Sequence, residues 1–129
     1  GFLAKFEPSG KLSWSKPTNG SHLNQYRKVS TDAGNNCYVT GSVAGDVLFG
    51  NIPITSAGGK DACIVKYDSK GILMWVLQGG GTENDEGVAI ASDAAGNCFV
   101  GGEFDTNAAF GRMKFSGWGS QDIFISRIK

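Results

Sequence analysis

Short apolar runs alternate along the chain with clusters of Gly, Asn, Asp and Ser, and no stretch sustains a helical period. In the second half, the apolar runs cover 62–67, 72–77, 88–92 and 98–104. Asp68-Ser69-Lys70-Gly71 follows the first run, and Asp93-Ala94-Ala95-Gly96-Asn97 separates the last two. These residues supply the positive φ and the side-chain-to-backbone bonds that tight turns need. The pattern predicts four strands in an antiparallel meander and no helix.

The same pattern occurs upstream. Asp32-Ala33-Gly34-Asn35-Asn36-Cys37-Tyr38-Val39-Thr40-Gly41 stands 61 residues before Asp93-Ala94-Ala95-Gly96-Asn97-Cys98-Phe99-Val100-Gly101-Gly102. Residues 1–68 lie over 62–129 without a gap, matching Trp14 to Trp75, Leu12 to Leu73, Gly41 to Gly102, Phe49 to Phe110 and Asp61 to Asp122. The first strand occurs three times, at 2–6, 63–67 and 124–128. A fixed period of this length marks a repeat architecture. A four-stranded antiparallel sheet repeated along a chain is a propeller blade.

The expected fold is therefore all-β: β-propeller blades amounting to about two, in an incomplete ring. Repeat 1 covers about 1–61, repeat 2 about 62–122, and a third copy starts at 123–129, all within one propeller. In this scheme Trp14 and Trp75 fill the space between neighbouring blades, and Phe49 and Phe110 form a second layer. Gly41 and Gly102 mark close backbone approach or positive φ. Asp61 and Asp122 each hold a nearby backbone N–H. A further piece, 47–54 with its copy 108–115, reads as a small hairpin or ordered loop, in which Pro53 requires an edge or a bulge.

If the strand after Asp32 or Asp93 opens a blade, the chain begins with the last two strands of one blade. It then supplies one full blade and ends three strands into another. The extra copy of the first strand favours a piece of a longer propeller over a self-assembling subunit.

As a set, Asp61-Ala62-Cys63-Ile64-Val65-Lys66-Tyr67-Asp68, then Gly71, Leu73, Trp75, Gly79-Gly80, Asn84-Asp85-Glu86-Gly87 and the hairpin from Asp93 to Gly102, with Phe110-Gly111, resembles the SBBP-type bacterial β-propeller repeat. The upstream copy departs from it at 18–26, where the acidic turn is lost. The resemblance implies a multi-bladed propeller, usually of exported or cell-surface bacterial proteins, and it does not imply an enzyme.

Composition narrows the classes further. Among 129 residues, 20 glycines and 3 prolines suit a turn-rich globular fold. Twelve basic and twelve acidic residues cancel, leaving no basic field for nucleic acid. The longest apolar run, Ile72 to Leu77, is far too short for a membrane span. The cysteines are odd in number and lack metal spacing. Cys37 and Cys98 are repeat equivalents and read as small buried apolar residues. The opening at Gly1 suggests processing or an excerpt.

Catalytic constellations are poorly represented. His22 is the one histidine, no nucleophile elbow is present, and Gly79-Gly80-Gly81 lacks the Lys-Ser/Thr of a phosphate loop. Glu83, Asp85 and Glu86 form a dense acidic stretch that could offer Ca²⁺ several oxygens. Its spacing is not that of an EF-hand, and the plainer reading is a solvated turn whose side chains cap the backbone.

What repeats is scaffold, so the residues that break the repeat are the ligand-binding candidates: Trp118 in place of Ala57, Tyr26 of Gly87, His22 of Glu83 and Arg112 of Asn51. An exposed Trp118 could stack on a sugar or anchor a partner, or simply pack on its own hairpin. Asn19-Gly20-Ser21 matches a glycosylation acceptor.

The expected function is a non-catalytic structural or protein-interaction module, extracellular or at the cell surface. The alternative is a carbohydrate-binding, lectin-like propeller, with a propeller enzyme third. Expected partners are further blades of the same chain or copies of itself, and, on the lectin-like alternative, a glycan.

Overall fold

The computed structural model describes residues 1–129 apart from Ser21 and Leu23. Ser21, the last residue of the acceptor triplet, thus lies outside the described residues. The chain is all-β, built of antiparallel sheets with no helix among the described residues. No helix is therefore long and apolar enough to cross a membrane.

Strands β1 (Phe2–Phe6) and β2 (Leu12–Pro17) pair as a two-stranded sheet. The short β3 (Asn19–Gly20) follows, and then the complete blade: β4 (Gln25–Thr31), β5 (Cys37–Val43), β8 (Asp61–Tyr67) and β9 (Leu73–Gly80), hydrogen-bonded in that order. The third blade contains β10 (Asp85–Ser92), β11 (Cys98–Phe104) and β14 (Asp122–Ile128). The chain thus holds two strands, four strands and three strands of successive blades: an incomplete, propeller-like ring.

The extra pieces are hairpins. β6 (Asp46–Phe49) pairs β7 (Ile52–Thr55), and β12 (Asn107–Phe110) pairs β13 (Met113–Ser116). β12 also bonds the end of β9, Ala109 opposite Gly80, and β6 bonds β3 at the repeat-equivalent place, Leu48 opposite Asn19. Each hairpin therefore clasps the outer strand of the blade before it. Pro53 lies on β7, the outer strand of its sheet, where its missing N–H costs no ladder bond.

The blade boundary falls one strand earlier than the turns at Asp32 and Asp93 suggested: a blade opened by the strand after Asp32 would leave three strands before it and two at the end, and the two, four and three strands require the earlier opening. β4, not β5, opens the full blade, so both turns are hairpins inside a blade. The third strand is also longer than expected, starting at Asp85 rather than at 88. Gly87 allows this by sitting at a β-bulge, where a side chain would strike Thr40 of the neighbouring blade.

Turn chemistry explains the hairpins. Asp32 Oδ1 accepts from the N–H groups of Gly34 and Asn36, and Oδ2 accepts from the Asn36 amide and the Tyr38 hydroxyl. Asp93 repeats the bonds to Asn97. Burial opposes ionisation of Asp32, but these donors outweigh it and hold the carboxyl below its ordinary range. Asp93 is lowered by the same Asn97 bonds.

Two apolar layers form the core. Between β1–β2 and the full blade, Val39, Cys63, Val65, Tyr67 and Phe49 pack with Leu3 and Trp14. Between the full and third blades, Tyr38, Ile64, Cys98, Val100 and Phe124 pack with Trp75 and Phe110. Alternate residues of β5 and β8 serve opposite layers, which is why both faces of these strands are apolar.

Candidate functional site

The repeat-defining residues sit at the blade junctions. Trp14 and Trp75 occupy equivalent places, their rings 6.2 Å from Tyr67 and from Tyr38, respectively. Phe110 lies 4.3 Å from Phe124, and Phe49 is buried 6.5 Å from Tyr26. A Cβ on Gly41 would overlap the Gln25 carbonyl, and one on Gly102 the Glu86 carbonyl and the Phe124 ring. Asp61 Oδ2 accepts from Ala57 N–H and Asp122 Oδ2 from Trp118 N–H, at 3.1 and 3.0 Å, closing the same loop in both repeats.

The acidic stretch splits apart. Asp85 is buried at the head of β10, where Oδ2 accepts from Gly81 N–H at 2.7 Å and Oδ1 from Asp105 N–H at 3.3 Å. Glu86 instead reaches Arg27 of β4, at 2.5 and 3.2 Å, tying the first strands of adjacent blades. Glu83 points to solvent. The three carboxylates do not converge, and no group of three metal-ligating side chains gathers among the described residues.

Asp61 is also buried and lies with Asp85 against Gly80, and its Oδ1 has no hydrogen-bond partner among the described residues. Burial, joined by the charges of Asp61 and Asp105, raises the Asp85 carboxyl above its ordinary range despite its two backbone bonds. Asn24 is the repeat counterpart of Asp85. Its Oδ1 accepts from Ala44 N–H, the counterpart of Asp105, and its amide donates to the His22 carbonyl. In the sequence, only the Asn/Asp match at the 61-residue spacing marks this pair as a structural position.

The four repeat-breaking residues remain apart. Tyr26 is half-buried in β4 and shares a hydrogen bond with the Tyr67 hydroxyl at 3.3 Å. Burial and that bond push its ionisation well above the usual range. His22 is exposed and lies against Gly45. Arg112 stands at the turn of the β12–β13 hairpin, and Trp118 lies beyond that hairpin's other end, 99% exposed. The thiols of Cys37, Cys63 and Cys98 are free and buried, and burial pushes them up to about 11, about 12 and about 11. At neutral pH they are apolar filling and poor nucleophiles.

What the arrangement does offer is exposed blade face. Phe99, Ile123 and Ile125 stand in solvent on the outer side of the third blade. Their counterparts Tyr38, Ala62 and Ile64 are buried in the junction with that blade. On the opposite end of the molecule Phe2 and Phe6 are 73% and 61% exposed, while their counterparts Cys63 and Tyr67 are buried against β1–β2. The two free faces are thus the two halves of the junction that the molecule already makes twice.

No family model matches the chain. Over 115 residues, 75% of the chain, it is 31% identical to an uncharacterized WD repeat-containing protein of Acanthamoeba polyphaga mimivirus. Over 73 residues, 55% of the chain, it is 32% identical to the regulatory protein FlaEY of Caulobacter vibrioides. The chain spans only 8% and 7% of the length of these relatives. Sequence similarity and blade geometry agree on a propeller-like repeat protein.

Proposed function

We propose that the chain is a non-catalytic, protein-binding segment of a β-propeller whose free faces take further blades of the same repeat. The carrying observation is the exposure of Ile123, Ile125 and Phe99 on a face whose counterpart in the full blade is sealed. Propellers close with about four or more blades, so the strands present call for others. The similarity to a WD repeat-containing protein supports a role in protein association. On this reading the repeats run about 1–61 and 62–122 with a third copy from 123. Resemblance to SBBP-type repeats favours an exported or surface location in a bacterium.

Sedimentation velocity at rising concentration tests the proposal. The chain should self-associate, and Ile125→Asp should shift it toward monomer. A monomer at every concentration, or association untouched by Ile125→Asp, overturns the proposal.

One observation favours a second, lectin-like reading: Trp118 stands almost wholly in solvent on a loop held by Asp122. An exposed indole suits stacking on a sugar face. Glycan-array binding that is lost in Trp118→Ala would establish it. An array with no hits would reject it.

A further inference from the structure

We propose that Asp61 and Asp85 form a binding site for a single hard divalent cation, of the Ca²⁺ class, at the junction of the full and third blades. Every residue of the site lies within that junction, so the site owes nothing to where the chain stops and does not rest on the assembly reading.

Glu83 and Glu86 turn away from the acidic stretch, but Asp85 turns toward Asp61 at the head of β8, and each of the two is only 1% exposed. They meet across Gly80. A Cβ there would stand 2.7 Å from Asp85 Oδ2 and 2.9 Å from Asp61 Oδ1. Two carboxylate oxygens from adjacent blades thus face one point, close to the reach of Ca²⁺, which holds its oxygens at about 2.3–2.6 Å.

The chain does not balance these charges. The ion pair of this junction joins Arg27 to Glu86, and among the described residues no basic side chain pairs with Asp61 or Asp85. Their partners are neutral. Ala57 N–H and the Gln78 amide donate to Asp61 Oδ2 at 3.1 and 2.6 Å, and the N–H groups of Gly81 and Asp105 donate to Asp85. Those bonds leave Asp61 Oδ1 without a partner among the described residues, although it is buried and faces Asp85 across Gly80. Buried charges are normally paired or coordinate metals. The polar atoms that face Gly80 are oxygens, and oxygen ligands select a hard cation over a softer one such as Zn²⁺.

The surroundings fit an ion. The four donors hold both carboxylates in place, and the Gln78 amide is itself fixed by the Thr55 carbonyl at 2.7 Å. Ala57 and Gly81, whose N–H groups bind the pair, line an open groove of about 430 Å³ together with Gly80. An ion therefore has an approach from solvent beside Gly80. The preceding junction supplies the contrast. There Asn24 stands for Asp85 and Asn19 for Gly80, so the carboxylate and the bare backbone are replaced together. Asn24 carries no charge, and its amide donates to the His22 carbonyl.

Calorimetric titration of CaCl₂ into the intact, metal-stripped chain tests the site, with thermal melts in EDTA and in excess Ca²⁺ as a second readout. Saturable binding near one ion per chain is expected, with the melting midpoint raised by about 4 °C or more in Ca²⁺. Asp61→Asn and Asp85→Asn should each weaken binding at least about tenfold and remove the shift. Asn24 shows that the fold accepts an amide at the place of Asp85, so Asp85→Asn decides the matter if circular dichroism finds Asp61→Asn unfolded. No saturable binding and no shift overturn the site. Binding retained in full by either variant in folded form places the ion elsewhere and overturns it equally.

Discussion

At the scale of single residues, Asp85 shows how a side chain changes role with its surroundings. An acidic residue flanked by Glu83, Asn84 and Glu86 suggests a solvated turn. Its burial depends on two backbone donors, Gly81 and Asp105, and the second comes from a distant loop that no local pattern announces. Its counterpart Asn24 fills the same place without charge, but its amide donates to the His22 carbonyl where Asp85 accepts from Gly81 N–H, so Asp85→Asn should lose one acceptor and at the same time remove the pH-dependent cost of the buried charge. The sign follows from linkage. A carboxyl whose folded pKa is raised contributes stability fully below its unfolded value, about 3.9, and loses it as pH rises through the folded value. The stability of the Asn variant relative to the parent should therefore rise from acid toward neutrality. Urea melts from pH 3 to pH 7 would check this, and a stability difference between variant and parent that does not rise with pH refutes it.

At the scale of elements, strands were legible because the repeat doubled every signal: Trp14 with Trp75, the Asp32 turn with the Asp93 turn. Blade phase was not. Turn residues announce a reversal of the chain, and a reversal within a blade looks the same as one between blades. The connection that does cross between blades, 81–84, is only four residues long and lets β9 and β10 run almost into each other. The hairpins were harder still, since only the pairing of Ala109 with Gly80 reveals that each clasps the blade before it. Of the four repeat-breaking candidates, only the exposure of Trp118 could be guessed, and nothing local indicated that Tyr26 would turn inward onto Tyr67. Trp75 on β9 joins the full blade to the third, half-buried against Tyr38 and Ile64. Trp75→Ala should cost about 3 kcal/mol, the low end for truncating a large aromatic, because the ring is not wholly enclosed. A loss below about 1 kcal/mol in denaturant melts would remove it from the junction's framework.

At the scale of the whole molecule, the free ends differ: one presents Phe2 and Phe6, the other Phe99, Ile123 and Ile125. Contacts between unlike faces do not exhaust themselves in a pair, and they run on as rings or filaments. On the proposed assembly, this polarity makes growth poisonable. A molecule bearing Ile125→Asp keeps the Phe2 face intact, so it can join a growing assembly at one end and offer nothing for the next to grip. Mixed with the parent at a small mole fraction, it should shorten assemblies far out of proportion to its amount, as a monofunctional reagent does in a step-growth polymerisation. A symmetric dimer would show only proportional dilution, so mean assembly mass plotted against the fraction of variant separates the two.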